Sequence, residues 1–235
     1  QKAEKRPQQF KQNFAVRTLM AFLSTFNIPM SACIRAFKRW GENAELLIRS
    51  NPYVLCNPAV NVPFNKADEV AKSLEIAVDD ENRVNAGISC VLRENANAGH
   101  TCLPLDKLAK TTCDFLKIDR LIFDKVLADE LTDESLYCYI KNGRKYIMLY
   151  DFFKAEDYIS RRLSIMKECS YDNKIDFSDV IDIAEKNSGV EYAELQRKAI
   201  NLALSYGFLV ITGGPGTGKT TTLNPIIDLY RQHGM

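Results

Sequence analysis

The sequence predicts a mainly α-helical chain that passes, near its end, into the first strand, loop and helix of an α/β nucleotide-binding domain. Three observations carry this. Apolar residues recur at helical spacing through most of the chain. Asn142-Gly143, set between two runs rich in Tyr, Ile and Leu, marks a single β-hairpin. The stretch Gly213-Gly214-Pro215-Gly216-Thr217-Gly218-Lys219-Thr220 fits G-x-x-x-x-G-K-[ST] at every fixed position.

Residues 1–78 read as short helices. VRTLMAFLSTF places Leu19, Phe22, Leu23 and Phe26 on one face. SACIRAFKRWG takes Ser31 as N-cap, turns Ile34 and Phe37 inward and stops at Gly41. ENAELLIRSNP ends at Asn51-Pro52, and NKADEVAKSL follows a second turn. Asn27-Ile28-Pro29-Met30 and Asn61-Val62-Pro63-Phe64 share one pattern, 34 residues apart (61 − 27), and each leads into a helix. Two such turn-then-helix units suit paired helical hairpins. The N–H groups at such a helix start can grip a nucleic-acid phosphate.

Residues 79–152 read as three helices and then a hairpin. DDENRVNAGISCVLRENANAG presents Val84, Ile88, Val91 and Leu92 and stops at Gly99. LPLDKLAKTTCDFL starts after Pro104, and RLIFDKVLADELTDE is third. LYCYIKNGRKYIMLY supplies the hairpin. Three helices and a hairpin spell a winged-helix-like unit, which serves as a DNA contact or equally as a spacer. Residues 153–188 return to helices, KAEDYISRRLSIMKE and SDVIDIAEKN, the latter with Ser178 as its cap. Residues 189–235 hold the amphipathic helix AELQRKAINLALSYG, ending at Gly207, and the apolar run FLVIT (208–212), suited to a buried parallel strand. The loop comes next. Pro225 in the helix after it removes a hydrogen bond and predicts a kink or irregularity.

Composition bounds the function. The chain is 46% hydrophobic and 26% charged with net charge +1. No apolar run approaches the roughly 20 residues that span a bilayer, and QKAEKRPQQFKQ is no secretory signal. A cytoplasmic protein is expected. Seven cysteines without a C-x-x-C pair, and only His100 and His233, argue for reduced thiols and against zinc. Charge is uneven: residues 1–50 carry nine Lys/Arg against three Glu, a balance of +6. Such a segment suits a phosphate backbone or an ordinary solvated face. The candidate DNA contacts are Arg35, Lys38, Arg39 and Lys66.

The loop predicts the chemistry. Its glycines let several N–H groups point into one concavity, and the following helix adds its positive end. Gly213, Gly214, Pro215, Gly216, Thr217, Gly218, Lys219, Thr220 and Thr221 then form the phosphate cradle of an ATP site. Lys219 reaches the β- and γ-phosphates, and the Thr220 hydroxyl holds Mg²⁺. These two are the candidate catalytic residues.

At these residues the chain resembles the superfamily 1 DNA helicases, and more closely the long RecD-like helicases of the RecD/TraA group. VITGGPGTGKTTTL is similar to their nucleotide loop. FNIPMSACIRAFKRWGENAELLIRSNPYVL and NKADEVAKSLEI are similar to their helix-hairpin-helix segments. NRVNAGISCVLRENANAGHTCLP resembles the stretch leading into their winged-helix part, so the likeness covers residues 14 to 235. It implies ATP-driven 5′→3′ movement on single-stranded DNA, two RecA-like motor domains of which the first starts at residue 189, and adenine contact by Gln196. The hairpins depart from the family's Gly-hydrophobic-Gly turns. Asn27 and Asn61 tolerate a left-handed backbone, whereas Pro29 and Pro63 have no N–H to give a phosphate.

The sequence starts without Met, and its loop lysine stands sixteen residues before its end (235 − 219), which reads as a chain cut at both ends. The expected function is therefore an ATP-hydrolysing DNA helicase when intact, with no turnover by residues 1–235 alone. A DNA-binding adaptor, or a P-loop ATPase of another DNA-processing family, are the alternatives.

Overall fold

The computed structural model describes residues 14–168 and 177–232. Lys2, Lys5, Arg6, Lys11, Cys169 and His233 lie outside the described residues. The backbone divides into two units, Gln1–Phe153 and Lys154–Met235. The described chain is mainly helical, with one small sheet.

The first unit begins with α1 (14–24), which buries Leu19 and Leu23 and half-buries Phe22 and Phe26. Helix α2 (Met30–Trp40) follows. Its cap is Pro29 rather than Ser31, and its buried positions are Ala32, Cys33 and Ala36 rather than Ile34, which is exposed. Small residues win the inner face because the hairpin brings backbones close. Gly41, at φ +62°, ends the helix as expected. Then come α3 (Ala44–Ser50), a 3-10 turn (Pro52–Cys56) and α4 (Phe64–Ser73).

The two turns repeat in three dimensions. Asn27 and Asn61 are left-handed, at φ 57° and 56°. Ile28 and Val62 are buried, and Pro29 and Pro63 cap the following helices in the same extended conformation. The Ile28 N–H donates to the Leu23 carbonyl at 3.3 Å, and the Val62 N–H to the Leu55 carbonyl at 3.1 Å. Asparagine thus does at each turn what glycine would do.

Helix α5 (Glu81–Asn97) starts on Asp80, whose carboxylate accepts the Asn82 and Arg83 N–H groups. It buries Val84, Ile88, Val91 and Leu92. Strand β1 (Cys102–Pro104), which the periodicity of the sequence does not reveal, runs into α6 (Leu105–Leu116). After α7 (Arg120–Thr132), strands β2 (Leu136–Lys141) and β3 (Arg144–Leu149) form the hairpin. Asn142 and Gly143 both have positive φ, 52° and 73°, the signature of the type I′ turn. The antiparallel sheet has the order β1-β3-β2, with Leu103 opposite Ile147 and Tyr139 opposite Tyr146. Three residues are too few to show alternation, so β1 is decided by its pairing with β3.

One hydrophobic core runs from α1 to β3. An ionic knot lies within it. Asp68 of α4 accepts from the Tyr53 hydroxyl and from Arg83 Nε, both at 2.8 Å, and pairs with Lys72 at 3.0 Å. Arg83 also donates to the Val78 and Leu116 carbonyls. Burial pushes the Asp68 carboxyl up, but hydrogen bonds from Arg83, Tyr53 and Lys72 outweigh it and hold the group below the usual range. Among the described residues six cysteines are free thiols. Burial pushes Cys56 up to about 12 and Cys90 up to about 11, so neither is a ready thiolate.

In the second unit, α8 (Tyr150–Glu168) continues from the first without burying a residue. Helix α9 (Ser178–Ser188) is capped by Phe177, and Ser178, the expected cap, is already its first residue. Helix α10 (Glu194–Ser205) ends two residues before Gly207, where Tyr206 turns extended. Helix α11 (Lys219–Gln232) continues through Pro225. Residues 208–212 form no strand. Leu209 and Ile211 pack against the second core while Phe208 and Val210 are exposed. The alternation of a strand is present, but a ladder needs a neighbour, and no other strand occurs among the described residues of this unit.

Candidate functional site

The second core holds the loop. Ile200, Ala203 and Leu204 of α10 meet Ile226 and Leu229 of α11, with Ile181 and Tyr192 beside them. The Tyr230 hydroxyl donates to the Ala203 carbonyl at 2.6 Å and fixes the two helices. Arg197 of α10 pairs with Asp182 and Glu185 of α9. The 213–218 segment is thereby suspended between α10 and α11.

Two glycines of the loop are required by backbone sign. Gly216 and Gly218 both sit at φ +77°, a region that costs other residues about 1–2 kcal/mol. A Cβ on Gly213 would lie 2.6 Å from Thr217 Oγ1, and one on Gly218 would lie 2.4 Å from Gln196 Nε2. The Thr217 hydroxyl donates to the Gly214 carbonyl at 2.9 Å and closes the curl. Lys219 Nζ donates to the Gly213 and Gly214 carbonyls at 2.7 and 2.6 Å, so its ammonium stands over the loop.

Lys219 is the first residue of α11. The first helical bond runs from the Thr222 N–H to the Gly218 carbonyl at 3.0 Å. The N–H groups of Lys219, Thr220 and Thr221 therefore precede the ladder, at the positive end of the helix. The Thr220 and Thr221 side chains are exposed, and Thr222 is buried with its hydroxyl on the Gly218 carbonyl. This is the geometry of an anion cradle: backbone donors, a helix end and one ammonium at a single point.

Gln196 is tied to the cradle. Its Oε1 accepts the Ala193 N–H at 2.9 Å and its Nε2 donates to the Gly218 carbonyl at 3.4 Å. Between α9 and α11, a groove of about 610 Å³ opens next to Thr221, with Val180, Tyr192 and Asn224 among its walls.

The candidate DNA contacts are dispersed by the fold. Arg35 donates through Nε and Nη2 to the Val60 carbonyl at 2.8 and 2.6 Å, so it ties α2 to the second turn. Lys66 pairs with Glu69 at 2.7 Å. Lys38 and Arg39 are exposed in the last turn of α2, where cations also suit the helix dipole. Another basic group, Lys141, Arg144 and Lys145, surrounds the hairpin turn. In the sequence, IKNGRK carries these cations directly beside the Asn-Gly turn signal.

The fold and the loop define a class: a helical chain that leads into a nucleotide-binding P-loop. Comparison with known proteins narrows it. Residues 12–102 match the family model described as the ATP-dependent RecD2 DNA helicase HHH domain, and residues 196–235 match an AAA domain. The ATP-dependent RecD2 DNA helicase of Deinococcus radiodurans is 24% identical over 230 residues, covering 93% of this chain and 32% of the relative. The RecBCD enzyme subunit RecD of Buchnera aphidicola is 31% identical over 155 residues, 59% of this chain and 25% of the relative. Its counterpart in Mycobacterium tuberculosis is 59% identical over 37 residues, 16% of this chain and 6% of the relative. The chain is similar to RecD-like proteins over these residues, and it spans about a quarter to a third of the length of the first two of these relatives.

Proposed function

We propose that this chain carries the DNA-handling helices and the nucleotide loop of an ATP-dependent DNA helicase that moves 5′→3′ on single-stranded DNA. The observation that carries the reading is the cradle at the start of α11. Lys219 Nζ stands on the Gly213 and Gly214 carbonyls, two positive-φ glycines shape the curl, and helix N–H groups face outward. The RecD2-type region stands before it in the chain.

In this reading the N–H groups of residues 214 and 216–221 bind the phosphate oxygens of ATP; Pro215 has no N–H to give. Lys219 turns from the two carbonyls to the β- and γ-phosphates. The Thr220 hydroxyl holds Mg²⁺, and Gln196, which rests on the loop through Gly218, meets the adenine edge. ATP supplies the phosphoryl group whose transfer to water releases free energy. Loop and lysine position phosphates but do not activate water, so residues 1–235 alone turn over no ATP.

By this reading residues 1–78 form a helix-hairpin-helix region and residues 79–152 a winged-helix unit, in the order α5-β1-α6-α7-β2-β3. Residues 153–188 connect them to a RecA-like motor that starts at 189. The protein works in the cytoplasm on DNA.

The test is binding of a fluorescent ATP analogue to residues 1–235, with ATPase of the full-length protein measured with and without single-stranded DNA. Lys219→Ala removes a charge-assisted contact and is expected to weaken nucleotide binding by about 10–100-fold. Unchanged affinity, or full-length ATPase indifferent to DNA, would overturn the reading. Turnover by residues 1–235 above that of the Lys219→Ala control would refute the assignment of loop and lysine to positioning alone.

A further inference from the structure

Lys141, Arg144 and Lys145 crowd the tip of the β2–β3 hairpin, all exposed, and none makes an ion pair among the described residues. Lys141 and Arg144 are direct cross-strand partners. Like charges placed opposite each other destabilise a ladder, so folding gains nothing from this pair. Several other cations of the unit are neutralised locally, Arg49 by Glu45, Lys66 by Glu69, Arg120 by Asp124 and Lys125 by Glu81.

Directly opposed residues project to the same side of a sheet, and the side alternates along each strand. Lys141 and Arg144 therefore share a face with the next-but-one pair, Tyr139 and Tyr146. Those two rings are half-exposed and stacked, with centroids 5.1 Å apart. The face presents cations at its rim and a ring pair behind them. Phosphates need the first, and unpaired bases need the second.

The helix that precedes the hairpin argues against duplex reading. Helix α7 and its flanks carry Asp119, Asp124, Asp129, Glu130, Asp133 and Glu134 against Arg120 and Lys125, and both of those cations are already paired. An acidic helix is repelled by the phosphates that line a major groove.

We propose that the outer face of this hairpin, Tyr139, Lys141, Arg144 and Tyr146, is a binding platform for single-stranded DNA. Lys141 and Arg144 hold phosphates, and a base extends the stacked tyrosine pair. The proposal deepens the helicase reading and rests on it for the choice of DNA.

The experiment is anisotropy of labelled oligo-dT with residues 1–235 across a salt series, with melting curves taken for every variant. Lys141→Ala with Arg144→Ala is expected to weaken binding about tenfold and to flatten the log-affinity slope against log salt by about 1.4, or 0.7 per phosphate contact. Tyr146→Ala is expected to weaken binding about tenfold at every salt concentration with the slope kept, a pattern that misfolding would not give. Binding and slope unchanged in the Lys141→Ala, Arg144→Ala protein would overturn the platform. So would tighter binding of a duplex of the same length. Nucleotide binding and its loss in Lys219→Ala are read separately, so failure of the platform leaves the ATP site standing, and failure of the ATP site leaves the oligo-dT result intact.

Discussion

Replacing Arg83 by Met tests the account of the first unit at its most sensitive point. The side chain joins three parts of the fold: Asp68 on α4 at 2.8 Å, the Val78 carbonyl at 2.7 Å and the Leu116 carbonyl at the end of α6 at 3.1 Å. Methionine keeps the apolar stem and removes the charge. Asp68, only 7% exposed, then keeps Tyr53 and the mostly exposed Lys72. Breaking a buried pair from one side costs about 3–5 kcal/mol. At about 2–4 °C per kcal/mol for a unit of this size, the melting temperature should fall by about 6–20 °C. The loss should depend on pH. Because the Asp68 carboxyl is held below its ordinary value, its contribution is complete above the unfolded carboxylate range and disappears as pH falls through the folded value. The gap between wild type and variant should therefore narrow in acid. Asp68→Leu combined with Arg83→Met should cost less than the two single changes added together, since no charge is then left unpaired. Thermal and urea unfolding followed by circular dichroism at neutral and acid pH measure all of this. A fall below about 2 °C for Arg83→Met, or strict additivity in the double variant, would refute the reasoning.

Two further changes in the first unit follow from packing. Gly87→Ala sets a Cβ 2.5 Å from Leu116 Cδ1, in a fully buried contact between α5 and α6. Overpacking of about 1–3 kcal/mol exceeds the helix-propensity gain of about 1 kcal/mol, so urea unfolding should show a net loss; a gain would mean that Leu116 swings clear. Thr112 is fully buried, and its hydroxyl has no partner among the described residues. Thr112→Val should raise stability by about 1 kcal/mol, and a loss would reveal a hydrogen bond at Oγ1.

The sequence by itself determined the features whose cause is local. Asn142-Gly143 fixed the hairpin because both turn positions need positive φ. Gly41 and Gly99 stopped helices for the same reason, and the spacing of Val84, Ile88, Val91 and Leu92 fixed the inner face of α5. The loop was legible because a curl with a helix behind it needs its glycines at fixed intervals. Only the tertiary structure decided the features that depend on residues far apart. Strand β1 exists because β3 lies beside it, and FLVIT forms no strand because no partner strand accompanies it among the described residues. Arg35 looked like a free cation until the fold set the Val60 carbonyl, 25 residues away, within its reach. Arg83, 15 residues from Asp68 and 33 from Leu116, is an ordinary helix residue until α4 and α6 close around it. The difference is physical: backbone sign and helical period act between neighbours, while hydrogen-bond partners and strand neighbours are supplied by whatever the folded chain brings alongside.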